Sequence, residues 1–421
     1  MEKLTVTKKQ SFKKTITAPP SKSYSHRMIL SASLANGVSQ IENVLFSKDI
    51  NATLDCAKNF GANVFTGDDF VKITSGGKTI KEGEFFCNES GSTLRFIIPI
   101  LAAMGIKARV FGSKTLMERP LDVYTDLFCE HNMDFEYKKG EYFDVLSPLI
   151  GGEYNIRGDI SSQFLTGLLY ALPLCNKDSK INITTSLLSK PYIDITLDVL
   201  KKSGIEIEND NYKTFKIKKN QKFSPINAPV PGDFSQSCAF IAAAVFNGEI
   251  ELLNLDAKSV QGDKKVIEYT KALGGNIEVF DNKIKIKKSD LKSNLTFDIS
   301  DCPDIAPVFS VICAHAEGET ILKGTKRLKI KECDRESAIV KTLNKLGVKT
   351  IAGDDFIKIY GSQKPFKGGE FETFNDHRMA MALSSAAIVT DGKIILDDSK
   401  CVDKSYPTFY NDFNSFCNFN S

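Results

Sequence analysis

Gly67-Asp68-Asp69-Phe70-Val71-Lys72-Ile73 returns almost unchanged as Gly353-Asp354-Asp355-Phe356-Ile357-Lys358-Ile359, and the echo decides how the chain is read. Each copy follows a helical pattern that ends in glycine, Leu54 to Gly61 in one case and Leu343 to Gly347 in the other. A strand, a polar turn and a second strand come next. The same grammar recurs at 196–218 and 266–287, and more loosely at 121–146.

A second element lies between these copies: a polar, acidic or serine-rich start, an apolar helix rich in small residues, a Gly or Asn, then a strand. Its starts are Pro20-Ser21-Lys22, Glu89-Ser90-Gly91, Asp159-Ile160-Ser161-Ser162, Gly232-Asp233-Phe234-Ser235, Pro303-Asp304 and Asn375-Asp376-His377. Six copies of a strand–helix–strand–helix–hairpin unit account for nearly the whole chain. The prediction is an α/β (α+β) fold of two domains with three units each, and 421 residues suit that division.

The composition is that of an ordinary globular protein, with 42% hydrophobic and 25% charged residues, which excludes disorder, collagen and coiled coil. A net charge of +3 leaves no whole-molecule field for nucleic acid, so any basic function is local. The longest apolar stretches, Phe96 to Ile106 and Cys238 to Phe246, fall short of the roughly 18 residues that span a bilayer. Residues 1–9 lack an apolar signal core, so a cytoplasmic protein with no membrane contact is expected. Its ten cysteines then read as thiols; none forms a CxxC pair, and His26, His131, His315 and His377 never stand at ligand spacing. No metal site is expected.

Helix starts offer unsatisfied N–H donors and partial positive charge, so several of them turned to one place make an anion site. The chain puts cations there: Lys22 and Arg27 in the first helix, Arg95 in the second, Arg378 in the sixth. Ser21-Lys22-Ser23-Tyr24-Ser25-His26-Arg27 collects hydroxyls and cations that suit phosphate and carboxylate, with His26 read as structural. Lys329 to Arg335 alternates charge, and Lys331 and Arg335 face together if the turn is helical; Cys333 within it is a candidate nucleophile without a nearby His. Asn375-Asp376-His377-Arg378 places a guanidinium in the first turn of an apolar helix, where burial without a partner anion would be costly. Arg119 precedes Pro120, which is able to begin a helix. Gly76-Gly77-Lys78-Thr79 and Gly112-Ser113-Lys114-Thr115 lack the earlier glycine of a phosphate loop, and no GxGxxG occurs, so nucleotide cofactors have no support. Asp304 and Glu332 stand among the cations as candidate proton carriers.

Ser21-Lys22-Ser23 with Arg27, Gly91 to Arg95, Glu118-Arg119-Pro120, Ser161-Ser162-Gln163, Ser189-Lys190-Pro191-Tyr192, Pro303-Asp304, Lys331 to Arg335, Asp376-His377-Arg378 and Lys404 together resemble the motif set of the 5-enolpyruvylshikimate-3-phosphate synthase family of enolpyruvyl transferases. The motifs are in order and cover nearly the full length. The resemblance implies two domains of three βαβαββ units, an inside-out α/β barrel, with the active site in the interdomain cleft. It divides the chain into 21–231 and 1–20 plus 232–421. It implies transfer of the carboxyvinyl group of phosphoenolpyruvate to the 5-hydroxyl of shikimate 3-phosphate with release of phosphate, in aromatic amino-acid biosynthesis. It implies no cofactor, these two small-molecule partners, no nucleic acid, and a monomer.

Carried over by position, the resemblance assigns Lys22, Ser23, Arg27, Ser161, Ser162, Gln163, Ser189, Tyr192, Asp304, Arg327 and Lys331 to shikimate 3-phosphate. It assigns Lys22, Gly91, Arg119, Gln163, Arg335, Arg378 and Lys404 to phosphoenolpyruvate. Asp304 becomes the base toward the 5-hydroxyl, Glu332 the acid and base at the C3 methylene, and Lys22 the partner of the leaving phosphate; family mechanisms divide these proton transfers differently.

Two positions depart from the family pattern. Asn88-Glu89-Ser90-Gly91-Ser92 replaces Gly-Asn-Ala-Gly-Thr and adds a carboxylate beside the phosphoenolpyruvate site, which bears on inhibitor sensitivity. Arg327 stands where some members use Asn. A UDP-N-acetylglucosamine enolpyruvyl transferase would show Lys-Asn where Lys22-Ser23 stands and a Cys within 114–120. A non-catalytic anion-binding or RNA-end-binding protein would not need both Asp304 and Glu332.

Overall fold

Gly67 and Gly353, the first residues of the two echoed heptads, each lie under a phenylalanine ring. A Cβ on Gly67 would stand 2.1 Å from Cε1 of Phe70, and a Cβ on Gly353 would stand 2.1 Å from Cε1 of Phe356. The backbone N–H of each glycine donates to the carbonyl of its phenylalanine at 2.9 Å, closing a turn. The strands that follow, Val71–Ser75 and Phe356–Gly361, alternate, with Val71, Ile73, Ile357 and Ile359 all fully buried. The heptad repeats because one turn-and-strand device is used twice.

The computed structural model describes residues 2–76 and 80–420. It resolves six four-stranded sheets of one pattern: two parallel strands, then two antiparallel ones. Residues 77–79, in the first of the two lysine-bearing glycine segments, lie outside the described residues. In the second segment, Ser113 caps a four-residue helix, Lys114–Met117. The chain divides into two compact units, Lys22–Val230 and Met1–Ser21 with Pro231–Ser421. Ser21 and Pro231 belong together in the second unit, where the Ser21 N–H donates to the Pro231 carbonyl at 2.7 Å.

In the Lys22–Val230 unit, three buried helices, Lys22–Leu34, Gly91–Ala103 and Ser162–Ala171, each join a parallel strand pair or lead into one. A helix apolar on every side is stable only inside a core. Phe96, Ile97, Ile98, Leu101, Phe164, Leu165 and Leu168 meet that condition at full or nearly full burial. The outer helices, such as Lys48–Asn59, bury one face and cap themselves: Ser47 accepts from the Ile50 N–H. The other unit repeats the scheme with buried helices Phe234–Asn247, Ala306–His315 and His377–Ala386.

Two features differ from six consecutive copies. Strand Phe12–Thr17 precedes the Lys22–Leu34 helix, yet it pairs in parallel with Gly248–Leu253. Strand Asn227–Pro229 precedes the Phe234–Asn247 helix, yet it pairs with Gly37–Glu42. The leading strands of these two repeats are therefore exchanged. The sixth sheet is finished by the chain's start: Leu4–Lys8 lies between Thr390–Leu396 and Cys417–Asn420, antiparallel to both, where the other units use a local hairpin. Residues 121–146 prove as regular as the rest, with helix Asp122–Glu130 and paired strands Phe135–Lys138 and Tyr142–Val145. That helix starts at Asp122, so Pro120 does not begin it. No described helix is long and apolar enough to cross a membrane.

Candidate active site

In the Lys22–Val230 unit most candidate residues stand in the first turns of helices Lys22–Leu34, Gly91–Ala103, Ser162–Ala171 and Lys190–Lys202, and Arg119 lies in the turn before helix Asp122–Glu130. Lys22 donates to Asp49 Oδ2 at 3.0 Å, and Asp49 stands in the first turn of its own helix, where the dipole favours a carboxylate. Arg27 is 2% exposed and stacks on Phe96. Its guanidinium donates to Thr196 Oγ1 at 2.8 Å, the Ser23 carbonyl at 2.8 Å, the Tyr192 carbonyl at 3.1 Å and Thr166 Oγ1 at 3.3 Å. Burial pushes it down to about 10. Arg27 thus fastens Ser23 and Tyr192 into one cluster.

Ser161 caps the Ser162–Ala171 helix by accepting from the Gln163 N–H, and Ser162 is buried. The Gln163 amide is held at both ends: Arg95 Nη1 donates to its Oε1 at 2.8 Å, and its Nε2 donates to Ser92 Oγ at 3.0 Å. Arg95 also donates to the Pro120 carbonyl at 3.2 Å, so this cation at a helix start holds Gln163 and the turn before the Asp122–Glu130 helix together. Ser189 has left-handed backbone, φ 56° and ψ 43°, unusual for a non-glycine residue. Its carbonyl accepts from the Tyr192 N–H at 3.0 Å. Gly91 begins the Gly91–Ala103 helix directly beneath Arg119, whose Nε is buried without a hydrogen-bond partner among the described residues.

In the other unit, Arg335 organises the candidates. It is 1% exposed and meets three carboxylates: Asp376 through Nε at 2.7 Å, Glu332 through Nη2 at 2.8 Å and Asp304 through Nη1 at 2.9 Å. Lys331 reaches the same Asp304 oxygen at 3.2 Å, so Lys331 and Arg335 do converge. Burial alone would push Asp304 up, but Lys331, Arg335 and Arg378 together hold it well below the usual carboxylate range. Burial lowers Lys331 despite Asp304. Arg335 is opposed by burial, yet Asp376, Glu332 and Asp304 keep it well above its ordinary value.

Arg378 is 2% exposed in the first turn of its helix. Its Nη2 donates to Ser235 Oγ at 2.7 Å, while Nε and Nη1 are buried without a hydrogen-bond partner among the described residues. Whichever Nη2 hydrogen Ser235 takes, one complete two-donor edge of the guanidinium remains, the fork that matches carboxylate or phosphate. Arg327 and Lys404 are buried in short 3-10 turns, Lys326–Ile330 and Lys400–Lys404. Cys333 is not a poised nucleophile: its thiol donates to Asp376 Oδ2 at 3.5 Å, and burial with the Asp376 charge pushes it far up. His26 is buried against Thr53 and held well below its usual value by burial, then by Lys22 and Arg27, as a structural residue would be.

The sequence did not single out the supporting partners. Asp49, Thr166 and Thr196 leave no mark that distinguishes them from helix caps and core threonines. Asp233 was visible only as a helix start and Asp376 as the first residue of the Asp376-His377-Arg378 motif; the structure adds that Asp376 also collects Arg335.

The EPSP synthase family model (3-phosphoshikimate 1-carboxyvinyltransferase) matches residues 6–413. A 3-phosphoshikimate 1-carboxyvinyltransferase of Clostridium novyi is 42% identical over 409 residues, covering 94% of each chain. One from Clostridium perfringens is 42% identical over 420 residues, covering 99% of this chain and 98% of its own. The solved EPSP synthase of Acinetobacter baumannii superposes with a TM-score of 0.83 over the full length of both chains at 23% identity, which establishes the shared α/β architecture. With the motifs, the repeated units and these relatives in agreement along the whole length, the chain belongs to the EPSP synthase family.

Proposed function

We propose that the chain transfers the enolpyruvyl group of phosphoenolpyruvate to the 5-hydroxyl of shikimate 3-phosphate, giving 5-enolpyruvylshikimate 3-phosphate and phosphate. The observation that carries the site assignment is Arg378: a buried guanidinium with an unpartnered edge needs an anion. Phosphoenolpyruvate carries a carboxylate and a phosphate, and Arg378, Arg119, Lys22, Arg335, Lys404, Gly91 and Gln163 are assigned to it. Shikimate 3-phosphate is assigned to Lys22, Ser23, Arg27, Ser161, Ser162, Gln163, Ser189, Tyr192, Asp304, Arg327 and Lys331.

The reaction adds and then eliminates. A proton reaches C3 of phosphoenolpyruvate, the 5-hydroxyl oxygen of shikimate 3-phosphate bonds to C2, and the hydroxyl proton leaves. C3 then gives a proton back as the C–O bond to phosphate breaks, so no electrons are exchanged with a redox partner. Asp304, kept ionised by Lys331 and Arg335, is in the state that accepts the hydroxyl proton. Glu332 is the group assigned to C3, and Arg335 fixes its place at 2.8 Å. Lys22, aimed by Asp49, balances charge on the departing phosphate.

The free thiols among the described residues fit a reducing compartment, and we place the protein in the cytoplasm. No assigned role calls on a second chain, so a monomer is expected. The test is to mix the purified chain with both substrates and follow phosphate. Release that requires both compounds is the expected result; no release, or release when UDP-N-acetylglucosamine replaces shikimate 3-phosphate, overturns the reading.

A further inference from the structure

Arg378 and Ser235 stand in the first turns of two different helices, His377–Ala386 and Phe234–Asn247, and their 2.7 Å hydrogen bond ties those turns together. The Ser235 hydroxyl has one proton, and it goes to Asp233 Oδ1 at 2.7 Å. A lone pair is thereby turned to the guanidinium, and the direction of the contact with Arg378 is settled. Asp233 is itself immobilised, because its Oδ1 accepts the Gln236 N–H at 2.9 Å. Gln261 buckles the same turn, accepting from the Phe234 N–H at 3.3 Å and donating to the Gly232 carbonyl at 2.7 Å.

Capping of the Phe234–Asn247 helix is done by Asp233 without help from the serine side chain. What the hydroxyl adds is a fixed acceptor for one hydrogen of Arg378 Nη2. It stops the guanidinium plane from turning about its own axis and leaves one two-donor edge in a single orientation. Both residues are almost wholly buried, 4% and 2% exposed, so water does not readily take over the serine's part.

We infer that Ser235 is a positioning residue for phosphoenolpyruvate, acting through Arg378 and held in turn by Asp233. The inference rests on the assignment of Arg378 to that substrate. Loss of the hydroxyl leaves the charge in place but frees its aim, so the cost falls on phosphoenolpyruvate binding and not on shikimate 3-phosphate.

The test is steady-state kinetics with each substrate varied, on the parent chain, Ser235→Ala and Ser235→Thr, with thermal midpoints measured on the same preparations. A hydrogen bond to a charged group predicts a rise of about 10-fold or more in KM for phosphoenolpyruvate in Ser235→Ala. Its kcat and its KM for shikimate 3-phosphate are expected to stay near the parent's, and Ser235→Thr, which keeps the hydroxyl, is expected to recover most of the loss. An unchanged phosphoenolpyruvate KM in Ser235→Ala overturns the inference. So does an equal rise for both substrates that tracks a lowered thermal midpoint, which would mark a purely structural serine. Absence of turnover in the parent chain itself would overturn the substrate assignment, and the inference with it.

Discussion

The Cβ that Gly91 lacks would stand 2.9 Å from Nη1 of Arg119. It would also stand 3.1 Å from Nη1 of Arg95, so two guanidinium groups close over the first residue of the Gly91–Ala103 helix. The glycine is there for space: its backbone is not in the left-handed region, and its helix is capped normally by Ser90.

Gly91→Ala is therefore expected to fold as well as the parent, since alanine is the better helix former by up to about 1 kcal/mol. The methyl group displaces Arg119, the end of a flexible side chain, by a few tenths of an ångström. The expected outcome is a rise of roughly 10-fold in KM for phosphoenolpyruvate, from a misaligned charge-assisted contact, with an unchanged or slightly raised thermal midpoint. A lowered midpoint with unaltered KM would show that Arg119 does not face the substrate.

Arg119→Lys and Arg378→Lys separate charge from geometry. A lysine keeps the cation but replaces a planar fork with a point charge. Each variant is expected to weaken phosphoenolpyruvate binding by at least about 10-fold while leaving shikimate 3-phosphate binding within a few-fold. Calorimetric titration with each ligand checks this, and equal losses for both would remove these arginines from the phosphoenolpyruvate site.

Arg378 was legible because an arginine in the first turn of an apolar helix is conspicuous, whereas Arg27 and Arg335 stood out as members of a hydroxyl- and cation-rich run and of a charge-alternating run; all three are buried in the fold. The repeat was legible for the reason seen at Gly67 and Gly353, where a ring on a glycine demands the same residues twice. Strand exchange was not, because a strand's own sequence does not say which distant parallel partner it joins; Phe12–Thr17 reads the same whether it pairs with Gly37–Glu42 or with Gly248–Leu253. The partners of Arg95 were not legible for a related reason. Its position resembles that of Arg378, and the contacts with Gln163 and Pro120 that hold it come from distant parts of the chain.

His315 gives a pH prediction away from the active site. It lies between the rings of Phe246 and Phe366, and burial, helped by Lys288, pushes it down to about 4. The unfolded chain takes up that proton near pH 6.5, so between about 6.5 and 4 the unfolded state binds more protons than the folded one. The stability that neutral His315 contributes is complete above that window and is lost as pH falls through it. His315→Phe, which does not titrate, is expected to lose less stability than the parent when urea midpoints at pH 7 and pH 5 are compared. Equal losses would show that His315 is protonated in the folded chain.

Glu332 and Asp304 decide whether the chain performs chemistry or only binds anions. Both contact Arg335, so charge removal and loss of structure must be kept apart. Glu332→Gln keeps size and a hydrogen-bonding oxygen for Arg335 while abolishing proton transfer. Asp376 still holds Arg335 through two contacts, 2.7 Å and 3.3 Å, so the guanidinium stays where it is. Turnover is expected to fall by roughly 10²–10⁴-fold, the usual worth of a positioned acid or base, with both substrates still bound. Asp304→Asn is expected to lose turnover to a similar extent and some shikimate 3-phosphate affinity besides, because Lys331 and Arg335 lose the carboxylate on which they converge. Steady-state kinetics and calorimetric titration on the same preparations separate the two effects. Turnover of Glu332→Gln within a few-fold of the parent would mean that Glu332 serves only as a counter-ion to Arg335, and the proton at C3 would have to come from another group.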